Sequence, residues 1–147
     1  MIDYANPATV HAPLGAYSHI VKISEGADLF FLSGQLGIHP DGSTPATMAG
    51  QADQVFANIA LLLSAHGLAP SDVVKLTTFI VAGHDGQAVR DARARHFGSH
   101  RPASTVVHVV QLADLACFVE VEAVAARSSS GSAKVSQAPD SSGQGLP

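Results

Sequence analysis

Residues 51–82 read QADQVFANIALLLSAHGLAPSDVVKLTTFIVA, and the change of pattern inside this stretch decides the fold. Ala52, Val55, Phe56, Ile59, Leu62 and Leu63 recur at three- and four-residue intervals, which lines apolar side chains along one face of an α-helix. Thr47 or a neighbour is expected to cap its N-terminus, and Gly67 stands where the residue that closes a helix belongs. From Val73 to Ala82 the helical period gives way to a run rich in β-branched residues, long enough for a buried strand.

Working outward, Tyr17 to Ile23 alternates and Asp28 to Ser33 is a short apolar run, with Glu25, Gly26 and Ala27 as the turn between two strands. A Gly- and Pro-rich loop follows from Gly34 to about Pro45. Downstream, a weaker helix covers Gly86 to Phe97, with Ala88, Val89, Ala92 and His96 inward and Arg90, Arg93 and Arg95 outward. Ser104 to Val110 and Phe118 to Ala126 complete the strands. The order β-β-α-β-α-β-β gives an α+β domain, a mixed β-sheet with two helices on one face. The other face has no cover from this chain. Phe79, Val81, Val107 and Val109 make it apolar, so an oligomer is expected.

The 147 residues suffice for one domain with a core, and 46% hydrophobic against 14% charged residues excludes disorder of the whole chain. A net charge of −4 argues against a surface built throughout to bind polyanions. The single cysteine, Cys117, excludes an internal disulfide and a multi-cysteine zinc site. No apolar run reaches the ~20 residues of a membrane span, and Met1 to Val10 does not read as a signal peptide, so a cytoplasmic protein is expected. Residues 128–147, rich in Ser, Gly and Pro, read as a disordered tail, leaving 1–127 as the folded unit.

Five stretches taken together resemble the RidA/YjgF family of enamine/imine deaminases. They are Pro13 to Ser18 (PLGAYS), Phe31 to Gln35 (FLSGQ), Gln51 to Gly67 with Asn58 inside it, Asp72 to Lys75 (DVVK), and Glu120 to Ala125 (EVEAVA). The resemblance runs from about Asn6 to Arg127. It implies a chorismate-mutase-like fold and a homotrimer whose sheets line a central barrel, with an active site at each subunit interface. It also implies hydrolysis of reactive enamines and imines, such as 2-aminoacrylate, to a carbonyl product and ammonia, with no metal and no organic cofactor.

Imine hydrolysis needs water beside an electrophilic carbon, a group to move its proton, and a pocket that holds the substrate. The resemblance puts the water on Glu120, the first acidic position of the Glu-x-Glu-Ala strand. It puts Tyr17 at the pocket, although Ala16 stands where the family has proline, and it lines the pocket with the backbone of Ser33 and Gly34. Taken without the resemblance, Glu120 and Glu122 read as solvated carboxylates and Tyr17 as an aromatic anchor for the first strand.

The departure lies in residues 102–105, Pro-Ala-Ser-Thr, where the family's deaminases carry Pro-Ala-Arg-Ser and the arginine grips the substrate carboxylate. Ser104 occupies that position, and a hydroxyl cannot make the bidentate, charge-assisted clamp of a guanidinium. Val106 stands where many members have cysteine, and Arg90 where several have a pocket asparagine. Three readings stay open: Arg101 swings in, Arg90 supplies the charge from the helix, or the pocket takes another ligand through the Ser104 hydroxyl, which is preferred. A member that binds a small molecule without turning it over is the alternative function.

His108 shares a strand face with Ser104 and Val106 and could serve as a base, but reads first as structural. The eight histidines offer no ligand spacing beyond the loose His96/His100 pair, so no metal is expected. Arg90, Arg93, Arg95 and Arg101 cluster and read as a solvated helix face. RNA binding ranks third, because Phe97 is the sole aromatic nearby for base stacking.

Overall fold

The computed structural model describes residues 1–129, so the expected tail lies outside the described residues from 130 onward. Six strands and two helices run in the order β1 (Ile2–Ala5), β2 (Ile20–Ile23), β3 (Ala27–Leu36), α1 (Met48–Ala65), β4 (Val73–Val81), α2 (Gln87–Phe97), β5 (Ala103–Val109) and β6 (Val119–Ser128). The main sheet has the order β3-β6-β4-β5, with β6 antiparallel to both neighbours and β4 parallel to β5 through the α2 crossover. It is a mixed sheet with both helices packed against it, as the sequence leads one to expect.

Helix α1 is held as its pattern requires. The Thr47 side chain accepts from the Gly50 backbone at the N-terminus, and Gly67 takes φ +67° just past the other end, a conformation that costs a residue with a Cβ. Val55, Phe56, Ile59 and Leu63 lie fully buried against Leu76 and Ile80 of β4 and Val119, Val121 and Ala125 of β6. Gln51 is buried among them. Its amide donates to Pro45 O (3.0 Å) and Ala116 O (2.9 Å), and its carbonyl accepts from Phe118 N (2.7 Å), so one side chain ties α1 to the loop entering β6. Asn58 donates to Leu36 O (3.1 Å) and Ile38 O (3.0 Å), tying the same helix to the exit of β3.

Three boundaries differ from the sequence reading. The first expected strand does not join the main sheet. Its core, β2, pairs antiparallel with β1, which the sequence does not flag because Asp3, Tyr4 and Ala5 are exposed and the pairing is carried by backbone bonds. The second strand does not stop at Ser33 but continues to Leu36 through a break in register between Leu32 and Gln35, a bulge that holds Ser33 and Gly34. At the far end, β6 runs through Ser128, one residue into the segment assigned to the tail.

Candidate functional site

The ladder sorts the side chains of the sheet onto two faces. Ser104 pairs with Leu76, which is fully buried beneath the helices, so Ser104, Val106 and His108 point to the helix side. Glu120 pairs with Phe79, and Phe79 with Val107, which puts all three on the open side together with Phe31 and Val124. Phe31 is 77% exposed there. The apolar face read from the sequence exists, and the candidate residues are divided between it and the helix side.

On the helix side, a cleft of about 540 Å³ opens between α2, the start of β5 and the loop through Tyr17. Tyr17, Arg90, Arg93, Arg101, Ser104 and Val106 all line it. The loop is pinned by Ser18, whose hydroxyl donates to Arg101 O (2.7 Å) and whose backbone donates to Pro102 O (3.1 Å). The Tyr17 hydroxyl accepts from Leu14 N (3.2 Å), and its ring packs edge-on to His19.

Arg93 is a correction to the sequence reading, which turned it outward. Its guanidinium is half-buried and donates to the Ser104 hydroxyl (3.3 Å) and to the Ala16 carbonyl. Burial, with the nearby Arg101 charge adding to it, holds the guanidinium below its ordinary pKa. A signal for this was present: Val89, Arg93 and Phe97 are four apart on one helical stripe, and both flanking residues are buried. Arg90 is exposed and donates twice to Gln87 Oε1 (3.1 and 2.7 Å), while Arg101 donates to the carbonyls of Gly98 and His100. Among the described residues, no acidic side chain lines the cleft.

On the open side, the Glu120 carboxylate fills the space above Gly34, where any Cβ would collide with it. The bulge and the glycine together make this approach possible. Ser33 is exposed at the same bulge and borders a second, apolar recess of about 350 Å³ between β3 and α1. Cys117 is buried nearby, its thiol pushed up by burial and then by the charges of Asp114 and Glu120. The structure therefore brings Tyr17, Arg90, Ser104 and Val106 together, and separately Glu120, Ser33 and Gly34, but not the two sets within one chain.

The remaining candidates disperse. His108 is exposed and outside the cleft. His96 meets Asp53 (3.1 Å), His100 meets Val73 O (2.6 Å), and Arg95 pairs with Asp53 (3.1 Å). The four clustered arginines thus form no single solvated face: three line the cleft and one is paired. Among the described residues, no group of three or more His, Cys, Asp or Glu is placed to hold a metal ion, and no helix is long and apolar enough to cross a membrane.

The family model described as endoribonuclease L-PSP matches residues 9–127. Protein HMF1 of Saccharomyces cerevisiae is 34% identical over 78% of this chain and 87% of its own. The 2-iminobutanoate/2-iminopropanoate deaminase of Escherichia coli is 32% identical over 82% of this chain and 95% of its own. Among solved structures, a conserved Rid-family protein of unknown function from Yersinia pestis superposes with a TM-score of 0.75 at 26% identity, covering 84% of this chain and 97% of that one. The E. coli yjgF gene product superposes with a TM-score of 0.63 at 32% identity, covering 79% and 91%.

Proposed function

Since this chain belongs to the endoribonuclease L-PSP family, the RidA/YjgF family, we propose that it is a cytoplasmic hydrolase that converts reactive enamines and imines to carbonyl compounds and ammonia. The observation that carries this reading is the Glu120 carboxylate, seated over Gly34 with no cationic partner among the described residues. A carboxylate so placed is a free base beside an accessible backbone. It takes a proton from water as the oxygen adds to the imine carbon and delivers it to nitrogen, giving a neutral carbinolamine. It then takes the hydroxyl proton and passes it to nitrogen as the C–N bond breaks, so that ammonia leaves with the carbonyl formed. Water is the one co-reactant.

Glu120 and the Tyr17–Ser104 cleft face opposite sides of one sheet, so a working site takes its two halves from different copies of the chain. The apolar open face, with Phe31, Phe79, Val107 and Val124, is the surface those copies cover, and three of them enclose a barrel. In this scheme Tyr17, Ser104, Val106 and Arg90 shape the substrate pocket, and Ser33 and Gly34 offer backbone beside Glu120. An RNA-binding role has less support, since Arg95 is engaged with Asp53 and, among the described residues, Tyr17 is the sole aromatic lining the cleft.

The test is ammonia release from 2-aminoacrylate generated in situ by a dehydratase. The native protein should accelerate it, and Glu120→Gln should lower the rate at least ~100-fold, the scale of a lost general base. Melting temperature and oligomer size should stay unchanged in that variant. Full activity in Glu120→Gln would overturn the mechanism. A native protein that binds carboxylate or aromatic metabolites without turnover would instead support the binding-module alternative.

A further inference from the structure

We propose that Arg93, delivered from helix α2, is the anion-binding residue of the cleft and selects substrates that carry a carboxylate. At the mouth of β5 the position that would present a cation holds Ser104, and the Ser104 hydroxyl is itself a partner of the Arg93 guanidinium at 3.3 Å. A guanidinium carried on the helix thus reaches to within one hydrogen bond of the Ser104 hydroxyl on the strand.

Two features separate Arg93 from its neighbours. It is half-buried, whereas Arg90 and Arg101 are exposed. Its guanidinium is fixed on two sides, by Ser104 and by the Ala16 carbonyl, which leaves three of five N–H donors free in a known orientation. Arg90 is turned to Gln87 and Arg101 to backbone carbonyls of its own loop. Like Arg90 and Arg101, Arg93 has no carboxylate partner among the described residues: the ion pairs there all involve Asp53, and none of the described acids lines the cleft. A half-buried guanidinium with free donors and a second cation nearby is a receptor for an anion, and its planar fork fits a carboxylate. The Ala16 contact also sets the loop that carries Tyr17, so charge and loop position are coupled through one side chain.

The proposal rests on the deaminase reading only for what happens to the bound acid. Binding is therefore measured first, by titration calorimetry with 2-oxobutanoate, the acid that hydrolysis of 2-iminobutanoate would give. Butanone, which replaces the carboxylate with a methyl group, is the uncharged control. The native protein should favour 2-oxobutanoate at least ~10-fold, the range expected for a charge-assisted clamp. Arg93→Gln should abolish that preference, and Arg93→Gln/Ser104→Arg should restore it by returning the guanidinium to β5. Arg95→Gln, which lies outside the cleft, should change binding less than ~2-fold.

A native protein indifferent to the carboxylate overturns the proposal whatever the variants do. So does a folded Arg93→Gln that retains the preference, or a loss that appears in Arg101→Gln instead. Ammonia release separates the two readings. Acid binding lost in Arg93→Gln while the native protein releases no ammonia leaves the Arg93 assignment standing and removes the deaminase. Native turnover with an unchanged KM in Arg93→Gln does the reverse.

Discussion

The two helices lie on the same sheet and do different work. Helix α1 buries six residues, one of them Gln51, and through Gln51 and Asn58 it grips the segment leaving β3 and the loop entering β6, which lie at the same end of the β3–β6 pair. Helix α2 buries three, and what it presents to the sheet includes a guanidinium. The contrast shows where the chain keeps its stability and where it keeps its chemical freedom. A helix riveted by apolar volume and buried amides cannot change without loss of fold, whereas a sparsely buried helix can trade side chains against a ligand.

That contrast can be broken, and the largest effect should come from the α1 core. Phe56→Ala removes a fully buried ring that also packs edge-on to Phe97, 5.5 Å between centroids. It should cost about 3–5 kcal/mol in denaturant unfolding. A cost under 1 kcal/mol would mean that α1 is not the anchor. Next, Gln51→Leu keeps the volume but strands Phe118 N–H and the carbonyls of Pro45 and Ala116. The expected loss is about 3 kcal/mol or more, from three stranded groups at about 1–3 each. A neutral result would show that water replaces the amide.

The smallest effect belongs to the seam between the helices, where Arg95 and His96 of α2 meet Asp53 of α1. The hydrogen bond from Arg95, with His96 adding to it, holds the Asp53 carboxyl below the ordinary value. Because the folded pKa is lowered, the contribution is present above the unfolded carboxylate range, about pH 4, and fades as pH falls through the folded value. The pair is half-exposed, so Asp53→Asn should cost at most about 1 kcal/mol at pH 7 and less as the pH falls toward about 2. Melting curves of both proteins at the two pH values check the sign.

The same contrast explains what was legible in the sequence. Helix α1 announces itself because its spacing is enforced by burial, and Thr47 and Gly67 mark its ends through local backbone chemistry that needs no partner. Helix α2 is located correctly, but its polar content hides which arginine faces in. Arg93 lies on the Val89–Phe97 stripe, yet an apolar pattern carries no rule for a cation whose partners are a serine eleven residues on and a carbonyl in a distant loop. The β1–β2 pairing stays silent for a related reason, being a backbone ladder between exposed side chains. The bulge at Ser33–Gly34 is invisible without its partner strand, because register is a property of two segments and a single stretch records one of them.

Cys117 has a practical consequence. It is the only cysteine in the chain, it is buried, and its thiol is held in the protonated, unreactive form. A single engineered cysteine at an exposed position on α1 such as Leu61, away from the open face of the sheet, will therefore take up a maleimide or nitroxide with little background. The wild-type chain is already a labelling scaffold, ready for distance measurements between copies without first removing a native thiol.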